Sequence, residues 1–288
     1  MLTLVGAGLG PDSVSQSLRK ALERANLIVV ETYTSPGSGW VEELVKGLGK
    51  DVLVASRDVL EERSRDIVEL AASRDVVIVV PGDPMIATTH SSLVVEALRS
   101  GVRAQVIPGL SGPCASMSVS GLQFYRFGRK MTIPAPWRGV GYTSIAYWFL
   151  GNLCLDLHTL FLLDVSPSGE QLAPREGVRA LKEALNDLLG ASWSGLRDLI
   201  VLEVSVGDDG IESSYATLSD YDRLSTLVPS SLMVPARLHV SEIEFLTSFH
   251  GVPDELIRAH QLALSRLDAC ELFFRTKERV MSEDRASS

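Results

Sequence analysis

Three short stretches hold the residues best placed to do chemistry. Gly6, Gly8 and Gly10, followed by Pro11, end an apolar run in a G-x-G-x-G-P turn, Asp83 stands inside Pro81-Gly-Asp-Pro84, and Pro108-Gly-Leu-Ser-Gly112 follows a third apolar run. Glycines after a strand permit positive φ, either for a tight turn or for close approach of a ligand to the backbone, and both readings stand. Two prolines and a glycine around one carboxylate remove most of that turn's freedom, a stiffness that an ordinary loop does not need. Asp83 then reads either as a helix N-cap with Pro84 at the first helical position, or as an anchor in a ligand loop. The residues from Pro84 to His90 lack helical periodicity. A loop leaving the carboxyl end of a central strand opens into the ligand crevice of a parallel sheet, which favours the second reading and puts Asp83, Ile86 and Thr88 beside a small molecule.

These loops contain acids, glycines and apolar residues but no Lys or Arg. Phosphate cradles normally recruit a cation, so the expected ligand lacks phosphates and resembles a nucleoside with a cationic or zwitterionic tail. The G-x-G-x-G spacing departs from the dinucleotide fingerprint, but Glu31 stands where that fold places its ribose-binding acid. A nicotinamide-dependent oxidoreductase therefore stays open as a rival.

The elements that must position these residues follow from hydrophobic pattern. Runs at Leu2–Val5, Leu27–Val30, Val52–Ala55, Val76–Val80 and Ala104–Ile107 predict strands buried on both faces. Amphipathic stretches at Ser13–Arg24, Leu60–Ala72 and His90–Arg99, the last closed by Gly101, predict helices between them and hence a mostly parallel α/β sheet. Texture changes after Pro108, giving an N-terminal α/β domain over 1–110 and a second α/β or α+β domain over 111–288. The second is expected to hold strands at Thr159–Val165, Leu199–Val206, Ser214–Leu218 and Leu232–Val234, with helices at Pro174–Leu189, Val240–Phe249 and Pro253–Arg275. The last helix would line up Leu256, His260, Ala263, Leu264, Leu267 and Phe274 on one face, and "KERVMSEDRASS" reads as a frayed polar tail.

The 288 residues carry a net charge of −9, which argues against a nucleic-acid binder. Cys114, Cys154 and Cys270 show no C-x-x-C spacing, so neither a metal site nor a disulfide framework is expected and a reducing cytoplasm fits. The N-terminus lacks a basic signal region, and no window approaches the roughly 18 apolar residues of a membrane span, so neither export nor membrane insertion is expected.

Taken together, the glycine turn, the PGDP turn and the PGLSG loop resemble the S-adenosylmethionine-dependent methyltransferase family that includes the tetrapyrrole (precorrin and uroporphyrinogen) methylases. "ETYTS" at 31–35, "PGDPMIATTH" at 81–90, "GLQFYRFGR" at 121–129, "HTLFLLDV" at 158–165 and "VPARLHVSEIEFL" at 234–246 are similar, in order and spacing, to one branch of it. Members of that branch methylate the amino group of a modified histidine, 3-amino-3-carboxypropyl-histidine, on translation elongation factor 2, a step of diphthamide biosynthesis. The match runs from residue 1 to about Ile257. It implies two α/β domains with a cofactor cleft between them, usually a homodimer, with S-adenosyl-L-methionine as cofactor and S-adenosyl-L-homocysteine as product. Position by position, it implies cofactor contacts at Leu9, Asp83, Ile86, Ser111 and Gly112, and from the second domain at Leu163, Val206 and Ser230. Relatives commonly carry histidine at the last position, so contact there would pass through the Ser230 backbone or hydroxyl. Relatives also tend to end soon after the segment matching "GVPDELI"; the helix that follows here is expected to pack on its own domain or at a dimer contact.

Methyl transfer from a sulfonium to an amine is an in-line displacement without a covalent enzyme intermediate, so the enzyme mainly positions the reactants and excludes water. The amine must be neutral, and a proton acceptor would help. No residue is assigned that role. The resemblance makes Asp83 a cofactor anchor, and His90 and His239 read first as structural histidines. Phe124-Tyr-Arg-Phe127, with Arg129 and Lys130, is the candidate for gripping an acidic substrate tail or the partner protein. Tyr33 and Thr34 would face the crevice. Glu31 now falls inside a methyltransferase motif, which weakens the oxidoreductase rival. A tetrapyrrole methylase with a small-molecule substrate remains an alternative, opposed by the middle motifs "GLQFYRFGR" and "HTLFLLDV".

Overall fold

The computed structural model describes residues 1–286 apart from 36–37, 140, 167–168, 208–209 and 226–228. The chain forms two compact units: Met1–Ala115 with Val165–Glu170 and Val206–Gly210, and Ser116–Asp164 with Gln171–Ser205 and Ile211–Ser288.

In the first unit, strands β1 (Leu2–Gly6), β2 (Leu27–Glu31), β3 (Asp51–Ala55), β4 (Val76–Val80) and β5 (Ala104–Ile107) form one sheet in the order β3-β2-β4-β1-β5, with every pairing parallel. The unbroken Val/Ile/Leu runs are what a sheet covered on both faces requires, because successive side chains enter opposite cores. Leu4, Val29 and Ile78 join one core with Ile67, Val68, Leu93 and Ala97, from α3 (Ser64–Ser73) and α4 (Ser91–Arg99). Val5, Ile28, Val77 and Val79 join the other with Leu18, Leu22, Val41 and Val45, from α1 (Gln16–Arg24) and α2 (Gly39–Val45). Strands β3 and β5 depart from the expected double burial, with Gln105 of β5 exposed and Ala104, Val106 and Ile107 half-buried. Val52, Leu53 and Val54 are 43%, 37% and 49% exposed because β3 is an edge strand paired only to β2.

Helix α5 (Gly112–Val119) follows in sequence, and in the second sheet β6 (Met131–Ile133), β7 (Thr159–Leu163), β8 (Ile200–Gly207), β9 (Gly210–Thr217) and β10 (Ser230–Val234) stand in the order β6-β7-β10-β8-β9. This sheet is mixed: β6 and β7 are parallel, while β10 runs antiparallel to β7 and β8. Helices α6 (Thr143–Cys154), α7 (Pro174–Leu189), α8 (Val240–Ser248), α9 (Asp254–Arg266) and α10 (Ala269–Ala286) complete the unit, whose core includes Ile133, Phe149, Phe161, Leu185 and Leu232.

Several expectations are corrected here. Helix α6 went unforeseen because "TSIAYWFLGNLC" is buried around most of its circumference and shows no amphipathic period. The single helix expected over Pro253–Arg275 is two helices, broken at Leu267 and Asp268, with the Asp268 carboxylate accepting the Glu271 N–H at 2.8 Å. The break resets the helical phase. Phe274 is therefore 64% exposed, while Phe273 stacks on Tyr147 with ring centroids 4.5 Å apart. Helix α10 also continues through most of the stretch expected to fray. Most plainly, Cys154 and Cys270 form a disulfide across 116 residues, joining the end of α6 to the start of α10. Cysteines on two packed helices leave no trace in local spacing, and cysteine usage no longer argues for a reducing compartment. Closing a loop of that length restricts the unfolded chain by an amount worth about 4–5 kcal/mol. Among the described residues, no helix is long and apolar enough to cross a membrane.

His260 is fully buried and ties α9 to the sheet: its Nδ1 accepts the Ile200 N–H at 3.1 Å and its Nε2–H donates to the Ala236 carbonyl at 3.1 Å. Burial pushes its pKa down to about 4, against the opposing pull of the Ala236 carbonyl. The neutral ring therefore contributes fully above its ordinary value of about 6.5, and that contribution is lost as pH falls through about 4. The melting temperature should fall across this interval, and calorimetry of His260→Gln should show a flatter pH profile than the wild type.

Candidate functional site

Strands β1, β4 and β5 are parallel, with β1 between the other two, so the loops leaving their carboxyl ends meet. They meet backbone against backbone. Ala7 N–H donates to Val80 O at 2.8 Å, and Gly8 and Gly82 exchange N–H bonds at 3.2 and 2.8 Å. A Cβ on Gly6 would lie 2.4 Å from Gly82 O, and one on Gly109 only 2.1 Å from the same oxygen. Gly8 and Gly82 occupy the left-handed region at φ 84° and 72°, where a side chain is strained. Chain packing alone thus requires these glycines.

Asp83 is not a helix cap, since α4 begins eight residues later. Its Oδ1 accepts the Met85 N–H at 2.8 Å, closing its own turn, and its Oδ2 accepts the Gly109 N–H at 3.0 Å, binding the loop after β4 to the loop after β5. The carboxylate is buried, while Met85 and Ile86 at the loop tip are about two-fifths exposed. Ser111 is buried and its hydroxyl accepts the Cys114 N–H at 3.2 Å, capping α5. At Gly112 an added Cβ would meet only Leu9 Cδ2, at 3.9 Å. The junction thus brings together Leu9, Asp83, Ser111 and Gly112, with Ile86 at the rim. No Lys or Arg occurs in the three loops at 6–11, 81–90 and 108–112.

Leu163 ends β7 and Ser230 begins β10. Gln171, absent from every motif, holds them together. Its Oε1 accepts the Ser230 N–H at 2.8 Å, and its Nε2 donates to Ser230 O at 3.3 Å and to Leu163 O at 3.5 Å. The Ser230 hydroxyl donates to Oε1 of buried Glu203 at 3.2 Å. Glu203 also accepts from Ser214 Oγ at 2.7 Å and from the Ser225 N–H at 2.7 Å. Leu163 packs its side chain over Gly177, and Val206 is a buried residue of β8. Gln171 left no signal in the sequence, whereas Glu203, a lone acid within the apolar strand "IVLEVSV", was visible there.

Glu31 is fully buried and committed to its own turn, accepting the N–H groups of Tyr33 and Thr34 and the Thr34 hydroxyl. These bonds occupy three of the roughly four acceptor sites of a fully buried carboxylate, which further weakens the oxidoreductase reading. His239 is exposed and caps α8. The three motifs at 121–129, 158–165 and 234–246 converge on buried Glu242. It accepts from Gln123 N–H at 2.8 Å, Arg126 Nη1 at 3.0 Å, His158 Nε2 at 2.8 Å and His239 N–H at 2.7 Å. Burial alone would raise its pKa, but these donors, the His158 hydrogen bond foremost, hold it down at about 2. Arg126 and Phe127 therefore serve the interior, with Phe127 packed edge-on to His158. Arg129 stacks over Trp148 at 4.2 Å, and Phe124 and Tyr125 are left at the surface, 61% and 95% exposed.

Gly109→Ala should destabilise the protein by more than about 2 kcal/mol, because a methyl group must displace backbone on two sides. Gly112→Ala should stay within about 0.5 kcal/mol of the wild type in denaturant unfolding, since only a movable Leu9 methyl faces it.

The tetrapyrrole (corrin/porphyrin) methylase family model matches residues 1–192. A diphthine synthase of Aeropyrum pernix is 43% identical over 259 residues, covering 87% of each chain. That of Pyrobaculum aerophilum is 35% identical, covering 85% of this chain and 96% of its own. Among solved structures, a conserved hypothetical protein from Aeropyrum pernix K1 matches with a TM-score of 0.83 at 39% identity, covering 95% of this chain and 98% of that one. A diphthine synthase crystal structure matches with a TM-score of 0.76 at 33% identity, covering 90% and 99%.

Proposed function

The chain belongs to the tetrapyrrole (corrin/porphyrin) methylases and, within them, to the diphthine synthases, and on that premise we propose that it uses S-adenosyl-L-methionine to methylate the modified histidine of translation elongation factor 2. The acceptor is the amino group of the 3-amino-3-carboxypropyl substituent. The observation that carries this reading is the cation-free junction of three loops around Asp83.

The residues suit the cofactor. A ligand without phosphates needs no Lys or Arg, and the missing side chain of Gly112 leaves Leu9 as apolar wall. Asp83 spends two hydrogen bonds on backbone, whereas a carboxylate has about four acceptor sites, so it can also receive a ribose hydroxyl or an ammonium group. When bound, S-adenosyl-L-methionine supplies a methyl group on a sulfonium sulfur. Leu9, Asp83, Ile86, Ser111 and Gly112 hold and orient it, Asp83 as polar anchor and Leu9 and Ile86 as apolar contacts that displace water. The same kind of contact is assigned to Leu163, Val206 and Ser230, of which Gln171 holds Leu163 and Ser230 in place and Glu203 holds Ser230. Fixing both reactants in line is the main contribution to rate, an effect worth up to about 7–11 kcal/mol. Neither His90 nor His239 is assigned as a base, because each is committed to bonds that fix its own backbone region. We further propose a cytoplasmic location, where elongation factor 2 acts, and a homodimer, for which the apolar edge strand β3 is the supporting feature.

Purified protein, S-adenosyl-L-methionine and elongation factor carrying the precursor should give methyl increments on that histidine by mass spectrometry, and their absence would overturn the reading. Asp83→Ala should weaken S-adenosyl-L-homocysteine binding about tenfold or more by calorimetry, with the melting temperature lowered by only a few degrees. Unchanged affinity would remove Asp83 from the site.

A further inference from the structure

The loop between β4 and α4 contains Asp83 and Ile86 but no regular structure, and Ala87 within it holds φ at 58°, an unfavourable value for a residue with a side chain. Something must oppose its return to ordinary geometry. Asp83 secures the near end. At the far end, Thr88 Oγ1 accepts the His90 N–H at 3.0 Å, and His90 Nδ1 reaches back six residues to the Pro84 carbonyl at 3.2 Å.

A carbonyl can only accept, so Nδ1 carries the proton, and Nε2 of the neutral ring is left as an acceptor. Facing Nε2 at 3.3 Å is the Tyr33 hydroxyl, which belongs to the loop after β2, the strand beside β4. Both side chains are buried, at 5% exposure for Tyr33 and 1% for His90. The backbone N–H of Tyr33 is in turn held by Glu31, and the Arg57 guanidinium lies 5.2 Å from the centre of the Tyr33 ring. A continuous line of bonds thus runs from Glu31 through Tyr33 and His90 to Pro84, the residue after Asp83.

We propose that Tyr33 and His90 are positioning residues for cofactor binding, the neutral imidazole bracing the Pro84–Ala87 loop so that Asp83 and Ile86 are presented in one geometry. This rests on reading that loop as a cofactor contact. Protonation at Nε2 replaces the acceptor with a donor, and it places a positive charge at the start of α4, where the helix dipole opposes it. Burial lowers the His90 pKa; Glu31, the Pro84 carbonyl and Glu61 pull the other way. Those acids, with Tyr33 itself and with Arg57 over its ring, are the titratable and charged groups around it. The working form is therefore complete above the ordinary histidine value of about 6.5 and is lost as pH falls through the lowered one.

Calorimetry with S-adenosyl-L-homocysteine tests the inference. Tyr33→Phe and His90→Leu should each raise Kd about tenfold, and the double variant should be no worse than the weaker-binding single one. His90→Asn, which keeps a donor near the Nδ1 position, should recover most of the His90→Leu loss. Wild-type affinity should fall as pH drops below the ordinary histidine value of about 6.5, and His90→Asn should flatten that profile. Amide hydrogen exchange at Met85 to Thr88 in the free protein should quicken in Tyr33→Phe. Equal affinity in Tyr33→Phe, or a pH profile unchanged in His90→Asn, would overturn the inference while leaving the cofactor reading intact. A wild type that binds no S-adenosyl-L-homocysteine would overturn both. If His90→Leu does not fold, Tyr33→Phe decides alone, since it removes one oxygen.

Discussion

The carbonyl oxygen of Gly82 lies so close to Gly6 and Gly109 that a single methyl group on either would collide with it. Everything at the candidate site follows from this contact. Because three backbones touch at the ends of β1, β4 and β5, the Gly109 N–H falls within reach of Asp83, and one carboxylate can hold two loops. The parallel sheet makes the meeting possible, since all three strands end on the same edge. Glycine makes it close.

Asp83 follows a rule that it shares with other buried carboxylates. Glu31, Asp83, Glu203 and Glu242 each accept from at least one backbone N–H. Desolvating a carboxylate costs several kcal/mol unless its lone pairs are filled, and a charged acceptor strengthens each bond that fills them. Each acid therefore organises the segment around it: Glu31 its own turn, Asp83 the two loops, Glu203 the start of β10, and Glu242 three distant motifs. This is also why the site acids are assigned to binding and positioning. Their lone pairs already hold the structure together.

Much of the fold was legible in the sequence. The five Val/Ile/Leu-rich runs of the first unit are the five strands, and in β1, β2 and β4 burial on both faces accounts for that composition. Helix α7 spans Pro174–Leu189 as its periodicity and leading proline indicate. Where the pattern misled, neighbours decided. Val52 to Val54 resemble the other strands but stand at an edge, α6 is apolar on too many sides to show a period, and a break at Leu267 and Asp268 turns Phe273 inward in place of Phe274.

By itself, the sequence determined the elements, the glycine-rich turns after their strands, the absence of cations in those turns and the family to which the motifs belong. All of these are local quantities, set by residue type and spacing along a few turns of chain. Tertiary structure alone decided that Asp83 reaches Gly109 26 residues away, that Glu242 gathers Gln123 and His158 across 119 and 84 residues, and that Cys154 meets Cys270. Hydrogen bonds and disulfides act over a few ångströms in space, and periodicity carries no record of which distant segments packing will bring that close.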